Sequence, residues 1–359
     1  MPAFHQLEVL EVKRETEEAV SILLKIPKEL EEEFDFIPGQ YVMFRREIDG
    51  ETVKRAYSIS SSPQEGELRV GVKEVIGGKF STFVNRALKA GDLLETLPPR
   101  GKFIVNTNPE NAHKYVSFCA GSGVTPILSM MKHVLETEPQ STFMLFYGNR
   151  TASTIIYLDE INALRARFPQ RLVVHYVMSK EELGEEMFQG RIDEEKIRLY
   201  SSKLFNPAEV DHYYMCGPEQ IIHVVNKVLA DLGVPADKIH FELFGSPNPV
   251  AKDQKKAAEA KVMVLESSHV SITLNGSGFE FKMENVKTSI LEAADEQGYD
   301  VPFSCRNGVC CTCIARLKEG EVEMEKSTSL TDKELADGLI LACQSRPKTK
   351  TIVLDFDDV

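Results

Sequence analysis

A chain of 359 residues and 40.3 kDa, 42% hydrophobic and 27% charged, has the makeup of a globular protein of two or three domains, each with a core of its own. Forty-two basic against 55 acidic residues leave a net charge of −13, the wrong sign for a nucleic-acid partner. No apolar run approaches the roughly 18–20 residues of a membrane span. The N-terminal MPAFHQLEVLEVKRETEE also lacks the basic and apolar regions of a secretory signal, so a cytoplasmic protein without membrane contact is expected.

Residues 1–106 read as short alternating runs broken by turn residues: HQLEVLEVKRE, AVSILLKIP, QYVMFRREIDGETVKRAYSIS, ELRVGVKEV and DLLETLPPRGKF. Regularly spaced short strands with Gly and Pro between them predict an antiparallel β-barrel or sandwich. Within it, Arg55-Ala-Tyr57-Ser58-Ile59-Ser60 ends the fourth strand, offering a cation, an aromatic face and hydroxyls. Twenty residues on, Gly77-Gly78-Lys79-Phe80-Ser81-Thr82 opens a helix, expected near Ser81, whose first amides would face a phosphate. Either segment alone is more often plain structure; the pair is more specific.

Residues 107–245 change to strand–helix alternation, the pattern of a parallel α/β sheet with crossover helices. Gly121-Ser122-Gly123-Val124-Thr125-Pro126 follows the strand YVSFCA and opens a helix, so a pyrophosphate could lie on that helix N-terminus. Pro126 stands where the usual dinucleotide fingerprint has a third glycine, a residue tolerated in a first helical turn. Tyr214-Met215-Cys216-Gly217-Pro218 ends a later strand. The strand FMLFYGNR ends in Asn149-Arg150 without an acidic residue, which favours a 2′-phosphate over a free ribose hydroxyl; Arg150 as a plain surface residue is the alternative. Two E-x-x-H pairs, Glu110/His113 and Glu209/His212, echo a di-iron motif but precede strands rather than lie in long helices, and read as chance.

Residues 246–261, SPNPVAKDQKKAAEAK, read as a linker able to span up to about 50 Å when extended. The third block, 262–359, is the more acidic: residues 267–359 hold 16 acidic against 10 basic side chains, suited to docking on a basic partner. It also holds Cys305, Cys310, Cys311, Cys313 and Cys343, five of the seven cysteines. The spacing C-x4-C-x2-C with a distant fourth cysteine is that of a plant-type [2Fe–2S] centre. Gly308 would let backbone amides approach the cluster. A structural zinc site is the alternative, although only one C-x2-C pair stands among these four. Cys311 is off-spacing and reads as a small buried residue.

These motifs together resemble the ferredoxin–NADP+ reductase superfamily over roughly residues 5–245, through its R-x-Y-S, G-G-x-x-S and G-x-G-x-T-P elements. From about 268 to 359 the chain resembles plant-type ferredoxins. The resemblance implies an FAD-binding antiparallel β-barrel, a parallel α/β NAD(P)-binding domain and a β-grasp ferredoxin domain. It implies flavin contacts from Arg55, Tyr57, Ser58, Ile59, Val72, Lys73, Gly78, Lys79, Phe80, Ser81 and Thr82. Nucleotide contacts would come from Gly121, Ser122, Gly123, Thr125, Pro126, Arg150, Cys216, Gly217 and Pro218. Cys216, Thr125 and Ser58 would serve the reaction, Cys216 beside the hydride-carrying carbon. Cys305, Cys310, Cys313 and Cys343 would hold the cluster. FAD is expected over FMN, and NADPH over NADH. The segments FHQLEVLEVKRET, YGNRT, GRIDEEK, HFELF and VLDFD further resemble fused reductases that serve multi-subunit di-iron oxygenases. The alternatives are a reductase of an aromatic-ring hydroxylase or dioxygenase, a general NAD(P)H:acceptor reductase, and, against the complete flavin and nicotinamide motifs, a redox-sensing module with little steady turnover.

Overall fold

The computed structural model describes residues 4–182, 184–243, 267–274, 276–299, 301–303, 306, 308, 312–325, 330 and 332–359. The linker segment, Cys305, Cys310 and Cys311 lie outside the described residues. The chain divides into two compact units, Pro2–Phe244 and Gly245–Val359.

The first unit begins with an antiparallel barrel built from β1 (His5–Thr16), β2 (Ala19–Lys25), β3 (Tyr41–Ile48), β4 (Glu51–Ser58), β5 (Leu68–Lys73) and, after helix α1 (Lys79–Arg86), β6 (Leu93–Arg100). Strand order is β4-β3-β6-β1-β2-β5, and an Ile59–Val70 bridge joins the two ends. Alternation does what the sequence predicts: Leu7 and Val9 on β1 and Val70 and Val72 on β5 turn inward, with charged neighbours outside. Helix α1 closes one mouth by inserting Phe80, which stacks on Phe44 at 5.9 Å with the rings 7° apart. Burying that ring stabilises the helix by roughly 2–3 kcal/mol.

The second lobe of this unit alternates β7 (Lys114–Ala120), α2 (Val124–Thr137), β8 (Thr142–Asn149), α3 (Leu158–Arg167), β9 (Leu172–Met178), α4 (Glu194–Lys203), β10 (His212–Gly217), α5 (Glu219–Asp231) and β11 (Ile239–Leu243). Its sheet is wholly parallel, in the order β11-β10-β7-β8-β9. Helices cover both faces, so β8 buries Phe143, Leu145, Phe146 and Tyr147 in succession rather than alternating. The chain runs outward from β7 through β8 to β9, then returns to β10 on the other side. The strand order therefore reverses between β7 and β10, and ligands of such sheets bind beyond the strand C-termini at that point. Of the E-x-x-H pairs, Glu209 is bound to Lys114 and His212 begins β10, so neither forms a helical metal motif.

The second unit holds β12 (Ser268–Leu274), β13 (Ser277–Met283), α6 (Ile290–Glu296), β14 (Ile314–Glu319), β15 (Val322–Met324), α7 (Asp332–Ala336), β16 (Leu339–Leu341), β17 (Ser345–Pro347) and β18 (Thr351–Asp355). Among the described residues the main sheet runs β13-β12-β18-β14-β16, with only β12 and β18 parallel, and β15 pairs with β17. Helix α6, capped by Ser289, buries Ile290, Leu291 and Ala294 against this sheet. This is the β-grasp arrangement.

Candidate functional site

At the reversal point, two glycine turns interlock. Gly121 takes a left-handed φ of 56°. A Cβ on Gly123 would lie 2.1 Å from the Cys216 carbonyl oxygen, and one on Gly217 would lie 3.1 Å from both Ala120 N and O. Only hydrogen at these positions lets the turn after β7 and the end of β10 touch. Thr125 Oγ1 donates to the Ser122 carbonyl at 2.5 Å, and Tyr147 OH donates to the Gly121 carbonyl at 3.0 Å. The turn is thus shaped before any ligand arrives, with Pro126 buried in the first turn of α2.

Cys216 is fully buried and in register with Glu242 on β11 and Cys119 on β7. Burial, with the charge of Glu242 and the neighbouring Cys119, pushes the Cys216 thiol well above its usual range. It stands as a neutral thiol. Ser58, at the end of β4 in the barrel, donates from Oγ to Glu242 Oε2 at 3.5 Å. A hydroxyl from the barrel, a carboxylate and a thiol from the parallel sheet therefore meet at one place. Glu242 is a site residue that the sequence motifs do not reveal. Its signal there is an acidic residue inside the apolar strand HFELF, but strand register is needed to set it beside Cys216.

The remaining flavin candidates form a second group. Arg55 is half-buried on β4; its guanidinium bonds to the Lys54 carbonyl at 2.7 Å and meets no carboxylate among the described residues. Tyr57 packs against both Phe44 and Phe80, and its hydroxyl is pushed well up by burial. Gly77 takes a φ of 76°, and Gly78 caps α1 without a side-chain partner, leaving the first helical amides for a ligand. Ser81 Oγ accepts from Val75 N at 3.1 Å and so closes this turn, while Thr82 Oγ1 donates to Glu74 and Lys79 pairs with Glu51. Ile59, Val72 and Phe80 turn their side chains into the barrel core. What they can offer a flavin is backbone. Lys73 is paired with Glu18 at 3.4 Å.

Arg150 follows β8 on the surface. Its carbonyl accepts from Lys180 N at 2.9 Å, so the backbones of two basic residues adjoin at the ends of β8 and β9. Gly190 N donates to the Met178 carbonyl at 2.7 Å, which brings Arg191 to the same edge. Glu181 is engaged by the Ala152 amide at 2.6 Å. Pro218 caps α5.

In the second unit Cys313 and Cys343 are both buried and drawn together by a bond from Ala342 N to the Cys313 carbonyl at 3.0 Å. Gln344 Nε2 donates to Cys343 Sγ at 3.6 Å and to the Arg306 carbonyl at 2.9 Å. Gly308 is buried with a φ of 73°, a conformation the loop could not hold with most other residues. Two buried cysteines on segments bonded to each other, with Gln344 donating to one of the thiols, fit an iron–sulfur cluster. A cation and uncapped helical amides fit a flavin diphosphate, and the interlocked glycines fit a nucleotide pyrophosphate.

Comparison with known proteins agrees with these fits. Residues 6–104 match the oxidoreductase FAD-binding domain, 118–227 the oxidoreductase NAD-binding domain, and 272–348 the 2Fe-2S iron-sulfur cluster binding domain. The chain is 36% identical over 357 residues to one of the subunits of the 1,2-phenylacetyl-CoA epoxidase of Escherichia coli (strain K12), covering 99% of each chain. It is 32% identical over 355 residues to the ferredoxin reductase component of 3-ketosteroid-9-alpha-monooxygenase from Rhodococcus rhodochrous, covering 98% of this chain and 96% of that one. Among solved structures, phthalate dioxygenase reductase shares the fold, with a TM-score of 0.57 and 23% identity over 98% of each chain.

Proposed function

The chain belongs to the family of FAD- and [2Fe–2S]-containing reductases that act as reductase components of oxygenases, and on that premise we propose that it carries electrons from NADPH to a multi-subunit di-iron oxygenase, namely a phenylacetyl-CoA epoxidase of phenylacetate catabolism. The observation that carries the electron-transfer reading is the meeting of Ser58, Cys216 and Glu242 beside the interlocked glycine turns. When bound, the nucleotide would supply hydride chemistry, the flavin an exchange between two-electron and one-electron transfer, and the cluster one-electron chemistry.

The chain's own residues then have distinct tasks. Arg55 and the first amides of α1 hold the flavin diphosphate, and Gly121–Gly123 hold the nucleotide pyrophosphate against α2. Cys216, neutral and fully buried, keeps water away from the reacting carbon. Ser58 offers a hydroxyl whose direction Glu242 fixes. Arg150, Lys180 and Arg191 provide cations suited to a 2′-phosphate, which supports NADPH over NADH. Cys305, Cys310, Cys313 and Cys343 hold the cluster, and four thiols kept reduced suit the cytoplasm.

The epoxidase assignment is supported by 36% identity over the whole length. The ketosteroid monooxygenase reductase, at 32% over nearly the same span, favours a second reading as reductase for another ring-hydroxylating oxygenase. Reconstitution separates them. The purified chain should support NADPH-driven turnover with the oxygenase components of a phenylacetyl-CoA epoxidase at least tenfold faster than with the oxygenase component of a ketosteroid monooxygenase. Equal rates, or the reverse order, would refute the epoxidase assignment.

A further inference from the structure

Tyr157 is a bulky residue held in the left-handed region, with φ 62° and ψ 28°, at the cap of α3. A side chain with a Cβ disfavours that conformation, so surrounding contacts must hold it there. Its ring is buried, and it projects from the nucleotide-binding lobe onto the outer wall of the barrel. There its hydroxyl, kept protonated by burial, donates to Ser60 Oγ at 2.9 Å. It lies over β5 where residue 71 is glycine; a Cβ at that position would stand 2.6 Å from the tyrosine oxygen. The barrel has a slot shaped for this side chain.

The slot lies in the same short segment as the reacting hydroxyl. Ser58 ends β4, and Ser60, two residues on, continues the pairing with β5 by donating its amide to the Arg69 carbonyl at 2.8 Å, while Ile59 between them points into the barrel core. Ser58 meets Glu242 and Ser60 meets Tyr157, both from the parallel-sheet lobe. The next residues are gripped as well. Ser129 Oγ on α2 donates to the Ser61 carbonyl at 2.6 Å. Lys132, almost wholly buried, bonds both carboxylate oxygens of Glu65 at 2.9 Å and also pairs with Glu160. Lobes within a chain ordinarily shift against each other. Here a row of buried polar contacts sets their register, and such contacts lose their value when displaced by a fraction of an ångström.

We propose that Tyr157 is a positioning residue for the nicotinamide–flavin reaction, a wedge that, with Ser129 and Lys132, fixes the Ser58–Ser62 segment against the parallel sheet and so sets the alignment of Ser58 with Cys216. The proposal rests on the reading that nucleotide and flavin react at Ser58, Cys216 and Glu242.

The test uses the full chain carrying its cofactors, mixed anaerobically with NADPH in a stopped-flow instrument. Tyr157→Phe should lower the limiting rate of flavin reduction by about fivefold to twentyfold. The dissociation constant for NADPH should stay within about twofold, and the long-wavelength charge-transfer absorbance of nucleotide over flavin should weaken. Ser60→Ala, which also loses the bond from Ser60 Oγ to the Arg69 carbonyl at 3.1 Å, should slow the step by at least a similar factor, and the double variant should be no slower than Ser60→Ala alone. A purely structural tyrosine would lower the unfolding midpoint and leave the limiting rate and the charge-transfer band untouched. That outcome, in Tyr157→Phe and again in Ser129→Ala, would overturn the proposal. Cys216→Ala is run alongside: if it slows reduction and the other variants do not, only the wedge fails. If it leaves reduction unchanged, the reading of the site fails and the wedge with it.

Discussion

Gly123→Ala is the sharpest single perturbation of the nucleotide turn. The added Cβ would stand 2.1 Å from the Cys216 carbonyl oxygen, 2.5 Å from its carbon and 2.8 Å from Gly217 Cα, all backbone atoms that no rotamer change can move. Ordinary contact for such a pair begins near 3.4 Å, so the turn and the end of β10 must part by about 1 Å. A displacement of about 1 Å in positioning groups costs on the order of 100-fold in rate, equivalent to about 2.7 kcal/mol of barrier. The expected result is therefore a roughly 100-fold slower flavin reduction by NADPH. Flavin content and the cluster's absorbance should be unchanged, because Arg55 and α1 lie in the barrel and the cysteines in the other unit. Anaerobic stopped-flow absorbance measures the rate, and protein-bound flavin is measured by extraction. A rate within threefold of the wild type, with both cofactors loaded, would refute the claim that the interlocked turns align nucleotide and thiol.

Other predictions follow from separate contacts. Glu242→Gln keeps an acceptor for Ser58 but removes the charge beside Cys216, and should slow flavin reduction about tenfold with little change in nucleotide affinity; an unchanged rate would remove Glu242 from the site. Replacing Arg150 and Lys180 together by Ala should raise the Michaelis constant for NADPH at least tenfold while leaving that for NADH within twofold, and a parallel change in both would mean that these cations do not read the 2′-phosphate. Arg45 and Glu95 join β3 to β6 through bonds of 2.9 and 2.8 Å, and the hydrogen bond from Arg45 holds the Glu95 carboxyl below its usual 4.5. A depressed folded-state value means that the contribution is complete above about pH 4.5 and fades as pH falls through the folded value. Glu95→Gln should thus cost at most about 1 kcal/mol at pH 7, given the pair's exposure, and the difference from wild type should shrink progressively in denaturation curves taken below pH 4.5. Because residues 267–359 carry 16 acidic against 10 basic side chains, turnover with the oxygenase should fall steeply with added salt while flavin reduction hardly changes. Equal salt sensitivity of the two steps would exclude electrostatic docking through this segment.

Much of the architecture was legible because glycine and alternation leave clear traces. The antiparallel barrel follows from short alternating runs, and the parallel sheet from strands followed by long helices. Gly121 and Gly123 read as a pyrophosphate turn, but that Gly123 and Gly217 leave no room for a Cβ between the two turns emerges only from the packing. What the motifs do not distinguish is backbone from side chain. Val72 and Phe80 belong to the flavin pattern, yet their side chains fill the barrel core: Val72 lies on the inward face of β5, and the helix that closes the barrel mouth turns its apolar face, with Phe80, inward. Ser60 reads in the sequence as one more hydroxyl for a flavin and instead accepts from Tyr157. Glu242 and Tyr157 escape sequence reasoning for a common reason. Each acts through a partner distant in sequence, Cys216 or Ser60, and only strand register and lobe packing bring them there.

The central claim is an ordered path from nucleotide through flavin to cluster, and an anaerobic titration of the purified chain with NADPH tests it most directly. Flavin and cluster absorbance are followed together, with a low-temperature EPR sample at the end point. The account predicts that the flavin bleaches first and that a rhombic signal of a reduced [2Fe–2S] cluster then develops. It also predicts that NADH reaches the same end point more slowly. A flavin that reduces fully while no cluster signal ever develops would contradict it.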